Sequence, residues 1–185
     1  MLDPTSCMAT GQGKSMGVTG KSNDFTVILK DRYGNDVDVG NDDRLFPVAV
    51  LSGPEDRVMD SFDNGRLKSA NNLFDFEFAV ETQGTYQLTV TVKPSIGTAD
   101  SPVLAQNIAG SPFTLTIVAD VASAESSYAS GLGFVRAEPG IEANFQITSL
   151  DKFGNTITTR AAGLQRDFVG ETEFLWVPVG PDYRI

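Results

Sequence analysis

The sequence predicts an all-β protein: an antiparallel sandwich of two sheets with about seven strands, arranged as a tandem repeat. Three observations carry this. Apolar residues recur at every second position over segment after segment, and no window holds a helical stripe. Turn residues punctuate those segments at Tyr33–Gly34–Asn35, Gly53–Pro54, Asp63–Asn64–Gly65, Gln83–Gly84 and Ala109–Gly110–Ser111–Pro112. A shift of 120 positions aligns Ser6–Val37 with Ser126–Ile157 without a gap.

Taken in order, a short strand is expected near Ser6–Thr10, followed by one in which Phe25, Val27 and Leu29 alternate with exposed positions. Leu45–Ser52 and Arg57–Ser61 read as the third and fourth strands. Phe74, Phe76, Phe78 and Val80 alternate with Asp75, Glu77 and Ala79; Tyr86, Leu88, Val90 and Val92 alternate with Gln87, Thr89 and Thr91. Phe113, Leu115 and Ile117, separated by Thr114 and Thr116, complete the set. Each segment has one wet face and one buried face. Strands of this kind in roughly 115 residues have immunoglobulin-like dimensions and close a core without metal or disulfide.

The repeat keeps residues a turn-and-strand unit needs. Ala9, Gly11 and Gly13 fall on Ala129, Gly131 and Gly133; Gly20 on Gly140; Phe25 on Phe145; Asp31, Gly34 and Asn35 on Asp151, Gly154 and Asn155. The expected division is a complete unit over 3–120 and the amino-terminal half of a second over 123–185, within a longer tandem-repeat polypeptide.

Composition narrows the function. The chain has 185 residues, 41% hydrophobic and 21% charged, as in ordinary soluble globular proteins. It contains no histidine, which removes the usual general base near neutral pH and the commonest transition-metal ligand. A formal charge of -10 repels phosphate backbones and anionic lipid, so neither nucleic acid nor membrane insertion is expected. Cys7 is the single cysteine, no Asn opens an N-x-Ser/Thr acceptor, and residues 1–20 hold no apolar signal segment. These point to an intracellular setting.

At this point the motifs resemble the filamin-type immunoglobulin-like repeat of actin-crosslinking proteins. Ala9–Thr10–Gly11–Gln12–Gly13, Phe25–Thr26–Val27, Gly53–Pro54, Asp63–Asn64–Gly65, the Gly84-to-Val90 strand and Gly110–Ser111–Pro112–Phe113 occur in the family's order. The second unit matches the opening half, with Gly180–Pro181 closing its third strand. The turn at Asp31–Asn35 is closer to filamin-type repeats of gamete-surface proteins and to bacterial adhesin domains, and Lys93–Gln106 is an insertion. No calponin-homology domain is present in this stretch, so actin binding is not implied.

The resemblance implies a non-enzymatic structural or scaffolding module, cytoplasmic and cytoskeleton-associated, with a cell-surface adhesion domain as the alternative. It implies protein partners added as an extra strand beside the third strand, in a groove shared with the fourth: Pro47, Ala49, Leu51, Arg57, Val58 and Asp60. Adjacent repeats of the same polypeptide are further partners. Pro47 suits an edge strand, since proline cannot donate to a ladder, but a proline there also discourages pairing.

Other signals have plainer explanations. Gly11–Ser15 contains Gly-Lys-Ser, yet Met8 stands where a phosphate loop needs glycine and a strand follows. Asp36, Asp38, Asp42 and Asp43 lack EF-hand spacing and read as a solvated loop. Asp75 and Glu77 lie on the wet face of a strand, Cys7 has no activator, and Trp176 reads as core of the second unit. No cofactor or metal is expected.

Overall fold

A computed structural model describes residues 1–40, 45–59, 66–70, 72–94 and 104–158, without side-chain detail for 66–70 and Phe134. Asp42, Asp43, Asp60, the Asp63–Gly65 turn, much of Lys93–Gln106, Trp176 and Gly180–Pro181 lie outside these residues.

The first unit is a two-sheet sandwich. One sheet has the order β1 (Met8–Thr10), β3 (Asn23–Ile28), β7 (Leu73–Phe78), β6 (Arg66–Ala70). The other runs β2 (Met16–Val18), β10 (Phe113–Val118), β8 (Gly84–Val92), β4 (Val48–Ser52), β5 (Arg57–Met59), with β9 (Gln106–Asn107) also paired to β8. All pairings are antiparallel except β2 with β10.

Alternation decides which side chains meet between the sheets. Phe25, Val27, Leu29, Phe74, Phe76, Val80, Tyr86, Leu88, Val90 and Leu115 belong to one continuous buried cluster. Phe25 and Phe76 are direct cross-strand partners, and their rings stack at 4.9 Å. The Tyr86 hydroxyl donates to the Thr82 carbonyl at 2.6 Å, pinning the start of β8 as the tyrosine corner of immunoglobulin-like sandwiches does. Phe113, expected inward, is only half-buried at the cluster's margin, with the Lys14 ammonium 5.2 Å from its ring centroid.

Two strands escape the alternation argument. β2 pairs with β10 through its backbone although Gly17 interrupts any apolar pattern, and β6 has too few apolar residues to announce itself. The first strand is also shorter than Ser6–Thr10, and the third begins at Val48, after Pro47.

Beyond residue 122, β11 (Tyr128–Ser130) pairs with β12 (Gln146–Thr148), joined through a short helix α1 (Leu132–Val135). The local geometry reproduces that of the first unit at a constant offset. A Cβ on Gly11, at φ +103°, would lie 2.9 Å from Phe25 Cα, and one on Gly131, at φ +117°, 3.0 Å from Phe145 Cα. Only glycine permits both that φ and that approach. Cys7 and Ser127 are also equivalent. The Lys30 amide donates to Cys7 Sγ at 3.4 Å, and the Leu150 amide to Ser127 Oγ at 3.0 Å.

Candidate functional site

The expected partner groove is not assembled as an open edge. β4 lies inside its sheet, with β8 on one side and β5 on the other, so the third strand has no free ladder. Ala49 and Leu51 are fully buried and belong to the core, and Pro47 is buried one residue before β4. Their alternation with Val48 and Val50 turns them toward the facing sheet. Arg57 and Val58 are exposed on β5, the strand that forms the actual edge. Asp60 lies outside the described residues.

The other candidates resolve into structural roles. Asp75 accepts from the Thr26 hydroxyl and Glu77 from the Ser22 hydroxyl, each at 2.6 Å. Asp36 pairs with Lys30 at 2.9 Å, and Asp38 accepts from the Gly40 amide at 2.7 Å. Cys7 is fully buried, and burial pushes its thiol up from the ordinary value. No group of three or more potential metal ligands occurs among the described residues. Nor is any helix among them long and apolar enough to cross a membrane.

A more elaborate polar site lies where the two units meet. The Thr19 and Gly20 backbone is anchored to the end of the sandwich, Thr19 N–H donating to the Val118 carbonyl at 3.0 Å and Gly20 N–H to the Val80 carbonyl at 2.7 Å. Against this end sits the turn Asp151–Asn155. Asp151 Oδ1 accepts from the Phe153 and Asn155 amides, both at 2.9 Å, which closes the turn on itself. Oδ2 faces the first unit, taking the Thr19 hydroxyl at 2.6 Å and the Asp120 amide at 3.3 Å.

Asn155 completes the joint. Its Nδ2 donates to the Glu81 carbonyl at 2.7 Å, and its Oδ1 accepts from the Gln83 amide at 3.0 Å. Phe153 packs edge-on over Gly20, where a Cβ would fall 2.3 Å from the ring. Gly20 has φ +66°, so glycine suits both the backbone and the ring. Asp151 and Thr19 are both fully buried. Burial alone would raise the Asp151 carboxyl, but the donors from Thr19, Asn155 and Phe153 outweigh it and hold the group at about 2. An ion pair of Lys21 with Asp120, 3.0 Å, flanks the joint.

None of these junction residues was singled out from sequence as a binding group. The available signal was the recurrence of Asp31, Gly34 and Asn35 at 151, 154 and 155.

The sandwich order, the tyrosine corner and the Gly-Ser-Pro-Phe entry to β10 are now joined by a decisive match: the model of the Filamin/ABP280 repeat covers residues 1–114. The chain belongs to the filamin repeat family. Repeats of this family are structural and interaction modules, not enzymes. Among solved structures, the filamin repeat chain overlays the Lin-41 filamin domain with a TM-score of 0.45 at 16% identity, covering 63% of this chain and 95% of that one. It overlays FdeC, an Escherichia coli adhesin, with a TM-score of 0.57 at 16% identity, over 85% of this chain and 44% of that one. Invasin, a bacterial integrin-binding protein, gives 0.51 at 15% identity, over 85% and 28%. The chain thus spans less than half the length of either adhesin, and at these identities the likeness is one of fold. No curated protein sequence matches it.

Proposed function

We propose that this chain is a non-enzymatic structural module of a tandem array: one complete filamin-type repeat over 3–120, followed by the start of a second over 123–185, with consecutive repeats fixed end to end. The observation that carries the reading is the burial of Asp151 against Thr19. A flexible tether between units would leave a carboxylate in water, whereas here it is desolvated and satisfied by donors from both units. The primary partners are neighbouring repeats of the same polypeptide. A guest strand entering beside the third strand would first have to displace β5 or pair with its three residues, Arg57–Met59, and a short charged edge strand discourages that.

Two settings suit such a module. A cytoskeletal scaffold follows from the family. A cell-surface stalk draws on the overlay of 85% of the chain on two bacterial adhesins. Protease treatment of intact cells separates them: a stalk is cleaved and an internal scaffold survives.

The structural reading is tested by amide exchange at Gln83, whose N–H donates across the joint to Asn155. Slow exchange in the unaltered chain, accelerated at least tenfold in Asp151→Ala while β8 stays protected, supports a fixed joint. Equal rates in both chains contradict it.

A further inference from the structure

The turn Asp31–Asn35 of the first repeat is built like the turn Asp151–Asn155, but among the described residues its outer face meets no socket. Asp31 Oδ1 accepts from the Tyr33 and Asn35 amides at 2.9 Å each, matching the 2.9 Å bonds from Phe153 and Asn155 to Asp151. Asn35 Nδ2 reaches both Asp31 oxygens, as Asn155 Nδ2 reaches both of Asp151. The Arg32 guanidinium lies 4.6 Å over the Tyr33 ring, and the Lys152 ammonium 4.6 Å over Phe153. The two turns differ in what covers them. Phe153 is half-buried against Gly20, whereas Tyr33 is 72% exposed.

We propose that the Asp31–Asn35 turn is a plug for the Thr19–Gly20 end of another repeat of this kind, with Tyr33 seated on that repeat's Gly20 and Asp31 accepting from its Thr19. The proposal rests on the end-to-end reading above and extends it to the opposite face of the first repeat. The occupant is fixed by chemistry on the page: a buried hydroxyl, a glycine with room for a ring edge, and the carbonyl and amide that Glu81 and Gln83 supply. The spacing agrees. A copy of residues 1–120 placed ahead of Met1 sets its Thr19 132 residues before Asp31, the separation at which Thr19 and Asp151 meet. The second unit carries Pro139 where the first has Thr19, so its own corresponding end lacks the hydroxyl and is a poorer socket.

The experiment compares this chain with a fusion carrying residues 1–120 ahead of Met1, with Tyr33→Phe in the added copy so that the Tyr33 signal comes from the original repeat alone, using hydroxyl-radical footprinting at Tyr33 and Phe153. The expected result is a drop of at least threefold in Tyr33 oxidation in the fusion, reversed by Gly20→Val in the added copy alone. Tyr33 as reactive in the fusion as in the unaltered chain, with Phe153 protected in both, overturns the plug and leaves the existing joint standing. Phe153 as reactive as a free phenylalanine in the unaltered chain defeats the end-to-end reading, and the plug with it. Should the added copy fail to fold, Asp151→Ala in the unaltered chain vacates the Thr19 end, and sedimentation decides. Concentration-dependent self-association that Asp31→Ala abolishes supports the plug, whereas a monomer at every concentration overturns it.

Discussion

Thr19 and Asp151, 132 residues apart in the chain, share a buried hydrogen bond of 2.6 Å that ties the end of one sandwich to the Asp151–Asn155 turn of the next unit. The hydroxyl is also an acceptor, taking the Asp120 amide at 3.0 Å, so the linker is drawn into the same network. Such a network is costly to break from one side, because the buried carboxylate stays while a donor is lost. Thr19→Val keeps the shape and removes the donor. It is expected to cost about 1–3 kcal/mol, read as a lower denaturation midpoint, with Phe153 more exposed to radical labelling.

Acid should loosen the joint in a defined window. The Asp151 carboxyl lies at about 2 against an ordinary 3.8. A carboxyl with a lowered folded value contributes stability that is complete above its ordinary value and is lost as pH falls through the folded one. The folded chain is therefore expected to be unchanged in stability from pH 7 to about 5 and to lose roughly 2 kcal/mol between about 4 and 2, shared between the turn's own bonds from Asn155 and Phe153 and the Thr19 bond across the joint. Exchange at Gln83 measured across that range checks it, and the step should vanish in Asp151→Asn.

Gly20→Ala and Gly34→Ala separate backbone strain from contact. Both positions have positive φ, +66° and +83°. A Cβ at Gly34 meets nothing within 4 Å, so only the left-handed backbone penalty of about 1–2 kcal/mol applies. At Gly20 the same penalty is joined by a clash 2.3 Å from the Phe153 ring. A larger melting shift in Gly20→Ala than in Gly34→Ala, with displaced Phe153 signals only in Gly20→Ala, is the expected outcome.

Phe76→Ala removes one half of the Phe25 stack at the centre of the first repeat and leaves a cavity between the sheets. The expected loss is about 3–5 kcal/mol, measured by denaturant unfolding. Changing the wet-face neighbour, Glu77→Gln, should stay within about 0.5 kcal/mol.

Cys7 should resist thiol reagents in the folded chain, since it is fully buried and its thiol is raised rather than activated. Labelling by a maleimide at rates limited by global unfolding is the expected behaviour.

Alternation made the sandwich legible because a buried face imposes period two on β3, β7, β8 and β10 whatever the neighbours are. It says which way a side chain points, not which strand lies alongside. Pro47 therefore suits an edge at β4 in the sequence, whereas the structure places β5 alongside and Ala49 and Leu51 carry the alternation of core residues. β5, at three residues, holds too little pattern to reveal that it covers that ladder. The Asp-x-x-Gly-Asn turns were visible as turns, and their glycines and aspartates explain their shape. Their docking was not visible, because the socket is made of backbone groups at Glu81 and Gln83 and of Thr19, whose counterpart is Pro139. A repeat comparison gives no weight to a residue that only one copy keeps.

With the joint fixed, the end of the first repeat and the Asp151 turn move as one body. Residual dipolar couplings of backbone amides in 1–94 and in 123–158 report whether they do. A single alignment tensor for both sets, splitting into two in Asp151→Ala, is the predicted result. Two different tensors in the unaltered chain would contradict it.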